Sequence, residues 1–124
     1  MASRTATPLV HPSMDEVTFA EVMEALKDPQ RLGVIAALAH EPGLPCSAVF
    51  MSMSRPAATR HLKILRAAGL LHQWDDGTRR RNALRTEEFE ARFPGLLDLA
   101  VAEGDRLSVQ QATAPEPADA GTAQ

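Results

Sequence analysis

The stretch that most constrains this chain is Ser54–Leu65, SRPAATRHLKIL, which reads as a helix with a fixed start. Ser54 is a favoured N-cap, because its side-chain oxygen can accept from an unpaired amide of the first turn. Pro56 falls in that turn, where a missing N–H costs nothing. Ala58, His61, Leu62 and Leu65 recur at i, i+3, i+4 and i+7, one face of a 3.6-residue period. Arg55, Thr59, Arg60 and Lys63 fall mostly on the opposite face, with no acid among them. Gly69 suits a left-handed helix stop. Next come a short apolar run, Leu70–Trp74, a tight-turn signal, Asp75-Asp76-Gly77-Thr78, and a returning strand, Arg79–Leu84. A basic-faced helix followed at once by a basic hairpin suits nucleic acid, one element for a major groove and one for the adjacent backbone or minor groove.

A formal charge of −3 over 124 residues argues against a polyanion partner until its distribution is considered. Ser54–Arg85 holds eight basic residues and two acids, a net of +6, while the rest holds five basic residues and fourteen acids, a net of −9. A local basic footprint on an acidic body focuses a polyanion onto one face. The competing account is that these arginines are solvated helix and strand surface; the nucleic-acid reading is preferred. Length implies one domain with a modest core. An apolar content of 44% without a membrane-length run points to a soluble chain, and the start, Met1-Ala2-Ser3-Arg4, lacks a signal-peptide core. A single cysteine, Cys46, excludes an intrachain disulfide framework and fits a reducing cytoplasm.

Read in order, residues 1–13 lack periodicity and are expected to be a flexible lead. Ser13 caps a first helix, about Met14–Lys27, with Asp15 and Glu16 in its first turn. Phe19, Val22, Met23 and Leu26 form an apolar stripe wider than one small neighbour needs. Asp28-Pro29 ends that helix and caps a second, about Gln30–His40, whose buried face is expected at Leu32, Ile35, Ala36 and Leu38–Ala39. After the loop His40–Pro45, a short third helix is placed at about Cys46–Met51, with Val49, Phe50 and Met53 inward. It pairs with the Ser54 helix as a helix-turn-helix. Thr86 opens a fifth helix with the apolar series Phe89, Phe93, Leu96, Leu97 and Ala100, broken at Phe93 and restarted with Pro94 in its first turn. The compact domain is thus expected over 14–111, with 112–124 a disordered Pro/Ala/Gly/Thr tail.

Three blocks in this order resemble the ArsR-type (arsenical-resistance repressor) winged helix-turn-helix regulators of bacteria. Leu26-Lys27-Asp28-Pro29-Gln30-Arg31-Leu32 is similar to the family's L-x-D-P-T-R-L junction. SRPAATRHLKILRAAGLL, from Ser54 to Leu71, is similar to its S-x-S-x-x-S-R-H-L-x-x-L-x-x-A-G-L-V block, and DGTRRRNAL to its wing. The match spans about Val17–Leu99. The resemblance implies a mainly α winged helix-turn-helix of about five helices plus a two-stranded wing. It implies a homodimer interface from the first and last helices: Phe19, Met23, Leu26, Phe93, Leu96, Leu97 and Ala100. It further implies repression at an imperfect palindrome, relieved by an inducer.

The DNA-facing residues on this reading are Ser54, Arg55, Pro56, Thr59, Arg60 and Lys63 of the helix and Thr78, Arg79, Arg80 and Arg81 of the wing. Arg60 can fork onto guanine or grip phosphate, Thr59 and Pro56 can touch thymine methyls, and Lys63 suits phosphate. The amides after Ser54 can also bind phosphate. Alternation puts Arg79 and Arg81 on one wing face and Arg80 on the other, so all three cannot face DNA; one face is expected to pair with Asp75, Asp76 or the fifth helix. His61 is read as a packed histidine rather than a contact, and Trp74 as a strand residue on the core or the partner subunit. No metal or other cofactor is expected. The family's cysteine pair would fall near Pro45–Ser47, where only Cys46 stands, and the last helix has no histidine. A redox role for Cys46 at a helix N-terminus competes with its reading as a small buried residue, which is preferred. No catalytic arrangement is apparent. Two other readings remain at this level: a winged-helix protein-interaction module, and a ligand pocket for a small-molecule inducer near Met14, Met23 and Trp74.

Overall fold

The computed structural model describes residues 9–49 and 53–113, with side chains up to residue 107. Its described residues form six helices and one antiparallel hairpin: α1 (Phe19–Leu26), α2 (Pro29–His40), α3 (Cys46–Val49), α4 (Arg55–Ala67), β1 (Leu71–Asp76), β2 (Arg79–Leu84), α5 (Thr86–Arg92) and α6 (Leu96–Thr113). The mainly α winged helix-turn-helix expected from sequence is therefore present. Phe50, assigned inward from sequence, lies outside the described residues, as do the end of the third helix and residues 1–8 and 114–124 of the expected lead and tail.

The first helix is shorter than its expected span because two capping boxes compete for it. Ser13 and Glu16 close one box around a single 3-10 turn, Met14–Glu16. Thr18 and Glu21 close a second, which starts α1 five residues late. Each box satisfies orphan amides at its own site, so the chain bends between them at Val17. At the far end, α6 does not restart on Pro94. Gly95 takes φ +81°, a left-handed step that delays α6 until Leu96. The helix then runs to Thr113, two residues into the expected tail.

Asp28 caps α2 with its carboxylate on the Gln30 amide at 2.7 Å, and Pro29 takes the first turn. The inward face of α2 is Arg31, Val34, Ile35, Ala36 and Leu38, whereas Leu32 is half-buried and Ala39 exposed. Helices α2 and α6 make the broadest helix–helix contact of the protomer. At one point in that contact the spacing requires a glycine. A Cβ on Gly104 would stand 2.3 Å from the Leu32 carbonyl oxygen and 2.9 Å from the Ala36 methyl. Only a bare Cα admits the α2 backbone there. Phe89, Phe93, Leu97 and Ala100 close the core from the other side.

Two glycine substitutions should therefore move stability in opposite directions. Gly104→Ala overpacks a backbone contact and is expected to cost about 1–3 kcal/mol. Gly33→Ala, in α2 with nothing within 4 Å of the added methyl, should stabilise by about 0.5–1 kcal/mol through helix propensity. Urea-denaturation midpoints of the two variants against the parent protein check both signs.

Candidate nucleic-acid interface

Helix α4 is built as its sequence implies. The Ser54 hydroxyl accepts from the Ala57 amide at 3.3 Å, Pro56 sits in the first turn, and Gly69 ends the helix at φ +80°. Ala58, His61, Leu62 and Leu65 are buried, which turns Ser54, Arg55, Pro56, Thr59, Arg60 and Lys63 outward together. None of these outward cations makes an ion pair among the described residues, and no acid stands on their face.

The buried side of α4 is held by a residue to which the sequence reading gives no role. Arg31, 5% exposed, donates from Nε to the Ala25 carbonyl at 2.7 Å and from Nη2 to the Glu24 carbonyl at 3.2 Å. Its guanidinium thus caps the C-terminus of α1, where unpaired carbonyls and the helix dipole both favour a cation. Its Nη1 meets His61 Nδ1 at 3.1 Å, and His61 Nε2 meets Gln30 Oε1 at 3.1 Å. Because an arginine only donates, His61 Nδ1 must accept, so the ring is neutral with its proton on Nε2, which donates to Gln30. His61 is the packed histidine read from its apolar face, and its work is to seat α4 on the α1–α2 corner.

The wing pairs Leu71 with Leu84, Gln73 with Asn82, and Asp76 with Arg79, and Gly77 takes φ +66° in the turn. Its three arginines separate by what they bind. Arg80 donates to Asp75 at 3.0 Å. Arg81 donates to Asp76 at 2.7 Å and to the Gly43 carbonyl at 2.9 Å, so it fastens the wing to the loop before α3. Arg79 is exposed and has no ion pair among the described residues. Both Asp75 and Asp76 are therefore spent on wing arginines. Trp74 does not enter the core; it is half-buried and stacks on His72 with centroids 5.4 Å apart.

Behind the wing lies a buried amide pair that sequence reasoning also missed. Gln73 and Asn82 are 3% and 0% exposed. Gln73 Nε2 donates to Asn82 Oδ1 at 2.7 Å, and Gln73 Oε1 accepts from Arg66 of α4. Asn82 Nδ2 donates to the Leu44 carbonyl at 3.1 Å and lies 3.4 Å from Cys46 Sγ. The pair joins α4, the wing and the start of α3, and among the described residues no buried side-chain polar atom lacks a partner. Alternation alone gave no warning, since Gln73 and Asn82 occupy positions that an apolar pattern would fill.

Between α4 and the wing opens a cleft of about 650 Å³. Exposed Arg55, Thr59, Thr78 and Arg79 stand on its rim, while buried Ala58 and Leu62 lie at its base beside half-buried Cys46. Thus Arg55, Thr59, Thr78, Arg79 and Arg80 of the expected set share one cleft, whereas Arg81 is turned to structural work. Among the described residues no group of three or more His, Cys, Asp or Glu side chains could hold a metal ion, and no helix is long and apolar enough to cross a membrane.

The residues expected at a subunit interface divide. Phe93, Leu97 and Ala100 are at most 7% exposed and are used in the protomer's own core. Met23, Leu26 and Leu96 are half-buried, and Phe19 is 56% exposed, its ring tilted 39° to that of Phe93 with centroids 6.1 Å apart. Leu99, absent from the sequence-based set, is 57% exposed and shares a shallow groove with Phe19, Pro94 and Leu96. A helix-spaced apolar series does not say which of its members face inward.

A solved structure of similar fold is that of an "ArsR-like Transcriptional Regulator from Rhodococcus sp. RHA1", with a TM-score of 0.53 and 24% identity over 78% of this chain and 93% of that one. No family model and no curated protein matches the sequence.

The His61 geometry sets a pH dependence of stability. Burial, with the Arg31 and Arg60 charges assisting against Asp28, holds the His61 pKa below its ordinary 6.5. Below pH 6.5 the unfolded chain binds a proton that the folded chain refuses. Stability is then full above pH 6.5 and falls as the pH drops through the folded-state value. Denaturation midpoints at pH 8 and about pH 5.5 should show this loss. His61→Gln should be less stable at pH 8 and lose less on acidification.

Proposed function

We propose that this chain is a sequence-specific DNA-binding transcriptional regulator, acting as a homodimer and repressing from a palindromic site until a signal releases it. The winged helix-turn-helix fold supports the reading, and one observation carries it. The outward face of α4 and the wing tip present Arg55, Arg60, Lys63 and Arg79 together, with no carboxylate partner among the described residues, on a chain that is otherwise net acidic. A protein-interaction module has no need to keep acids off that face. In this role α4 enters a major groove, with Arg60 and Thr59 on base edges, Lys63 and the amides after Ser54 on phosphate, and Arg79 on the flanking backbone. Thr78 and Arg80 line the same cleft, while the Arg81 guanidinium keeps the wing in place.

The dimer assigned to this function uses the groove lined by exposed Phe19 and Leu99 and half-buried Leu96, between the starts of α1 and α6. Apolar side chains left exposed in a cluster mark association surfaces. A twofold axis there would set two α4 helices into successive major grooves about one helical turn apart.

Fluorescence-anisotropy titration on the gene's own upstream DNA across a salt series tests the reading. Nanomolar-range binding that weakens steeply with salt and is poorer on scrambled DNA supports it; weak binding indifferent to salt and sequence overturns it. Arg79→Ala should weaken all sequences alike and lower the salt slope by about one. Arg60→Ala should also relax base preference, by about 1–3 kcal/mol at one position. Arg81→Ala should show its main effect in thermal stability.

For the dimer, Leu99→Glu should give monomers in sedimentation at concentrations where the parent protein is dimeric, and should weaken DNA binding while leaving the circular-dichroism spectrum unchanged. A parent protein that sediments as a monomer at high concentration would remove the dimer from the proposal.

A further inference from the structure

The segment ahead of the first capping box, expected from sequence to be a flexible lead, is tied down from residue 10 by three different parts of the fold. Arg66 Nε of α4 donates to the Val10 carbonyl at 3.2 Å. The Gln73 backbone amide of β1 donates to His11 Nε2 at 3.0 Å. Arg85, between β2 and α5, donates from Nη1 to the Pro12 carbonyl at 2.8 Å. The His11 ring lies 4.8 Å from His72, which in turn stacks on Trp74.

We propose that residues 9–13 are a proton-released strap on the wing: neutral His11 holds them on β1, and protonation of His11 frees them and weakens DNA binding. The effect on DNA rests on the regulator reading above, whereas the strap itself does not.

Hydrogen-bond bookkeeping forces the switch. A backbone N–H only donates, so His11 Nε2 presents its lone pair to Gln73 and the ring carries its proton on Nδ1. A proton added to that neutral ring goes to Nε2, which then faces the Gln73 N–H as donor against donor. Among the described residues, the charges that face the ring offer no compensation. His72 faces the ring from β1, Arg66 from α4 and Arg85 from the start of α5. The carboxylates of this region are already engaged: Glu88 with Arg85 at 2.6 Å, and Asp75 with Arg80 at 3.0 Å. Burial, followed by His72, Arg66 and Arg85, lowers the His11 pKa from its ordinary value of 6.5. The transition therefore lies on the acid side of neutrality.

Release would act where the DNA-reading elements meet. Gln73 is at once the strap's anchor, the acceptor for Arg66 of α4 and the partner of Asn82 in β2. Losing the strap uncovers the outer edge of β1 and removes the Val10 carbonyl from Arg66. The expected sign is also diagnostic. Histidines that merely gain charge on acidification strengthen attraction to phosphates, whereas release of the strap weakens binding.

The test is a ¹H–¹⁵N NMR titration of the whole chain from about pH 8 to pH 5.5, on the parent protein and on His11→Gln, whose amide oxygen accepts at every pH. The Gln73 amide should leave its hydrogen-bonded position with the midpoint of His11, and should not do so in His11→Gln. His72→Gln, which removes a neighbouring charge, should raise that midpoint and serves if His11→Gln folds poorly. In the same buffers, DNA affinity should fall about tenfold further in the parent than in His11→Gln. A Gln73 amide that stays in place while His11 titrates, or drifts equally in His11→Gln, overturns the strap. A Gln73 amide that follows His11 in a protein binding no DNA at any pH upholds the strap and overturns the regulator reading. Specific DNA binding with one pH profile in both proteins overturns the proposed effect on DNA.

Discussion

One buried guanidinium holds helix α4 in place. Arg31 reaches back to the last carbonyls of α1 and across to the ring of His61, so three helices meet on a single planar donor set. A lysine has the charge but not the fork, and could not serve two carbonyls and a ring nitrogen at fixed angles. Asp28, 3.7 Å from Arg31, gives the buried charge a partial counterion while its other oxygen caps α2. The run Asp28-Pro29-Gln30-Arg31 is thus a compact device: Asp28 and Pro29 start α2, and Arg31 ties α1 and α2 to α4 through a histidine that Gln30 also orients.

The wing follows the opposite strategy, since its stability comes from its edges. A two-stranded hairpin alone is marginal in water. Here Asn82 exchanges backbone hydrogen bonds with the Gly43–Leu44 segment on one side, and Gln73 donates to His11 on the other. Gln73 and Asn82 stand opposite each other in register, so both free edges are covered at one level, and their side-chain amides close the space between them. Buried polar groups of this kind fix a single arrangement because every alternative leaves a donor or acceptor unpaired. The aim of Arg79 relative to α4 depends on that arrangement.

Sequence reasoning recovered what local chemistry dictates. The Ser54 cap, Pro56, the buried series from Ala58 to Leu65, Gly69 and the Asp-Gly turn each have a short-range cause, and each stands where it was read. Its misses have long-range causes. Nothing within ten residues of His11 shows that Gln73 and two arginines wait for residues 10–12. The Ser13 and Thr18 boxes both obey the same rule, and only packing around Val17 shows that both are used. Phe93, Leu97 and Ala100 carry the same helical spacing as Leu96 and Leu99, yet the first three are consumed by the protomer's own core. For the candidate site, the face of α4 was legible, while the wing divided by pairing: Asp75 and Asp76 hold Arg80 and Arg81 and leave Arg79.

The covered edges of the wing also bear on the order of folding. The Gln73–His11 and Arg85–Pro12 contacts span 62 and 73 residues of sequence, and Arg92 reaches 75 residues back to the Val17 carbonyl. Contacts of that separation close long loops, and their entropic cost must be met before they return any stability. Helices α1, α2 and α4 can settle on one another earlier, because Arg31 and His61 are only 30 residues apart. Residues 10–12 therefore dock last, on a hairpin and an Arg85 that must already be in place, and the outer edge of β1 stays open until they do.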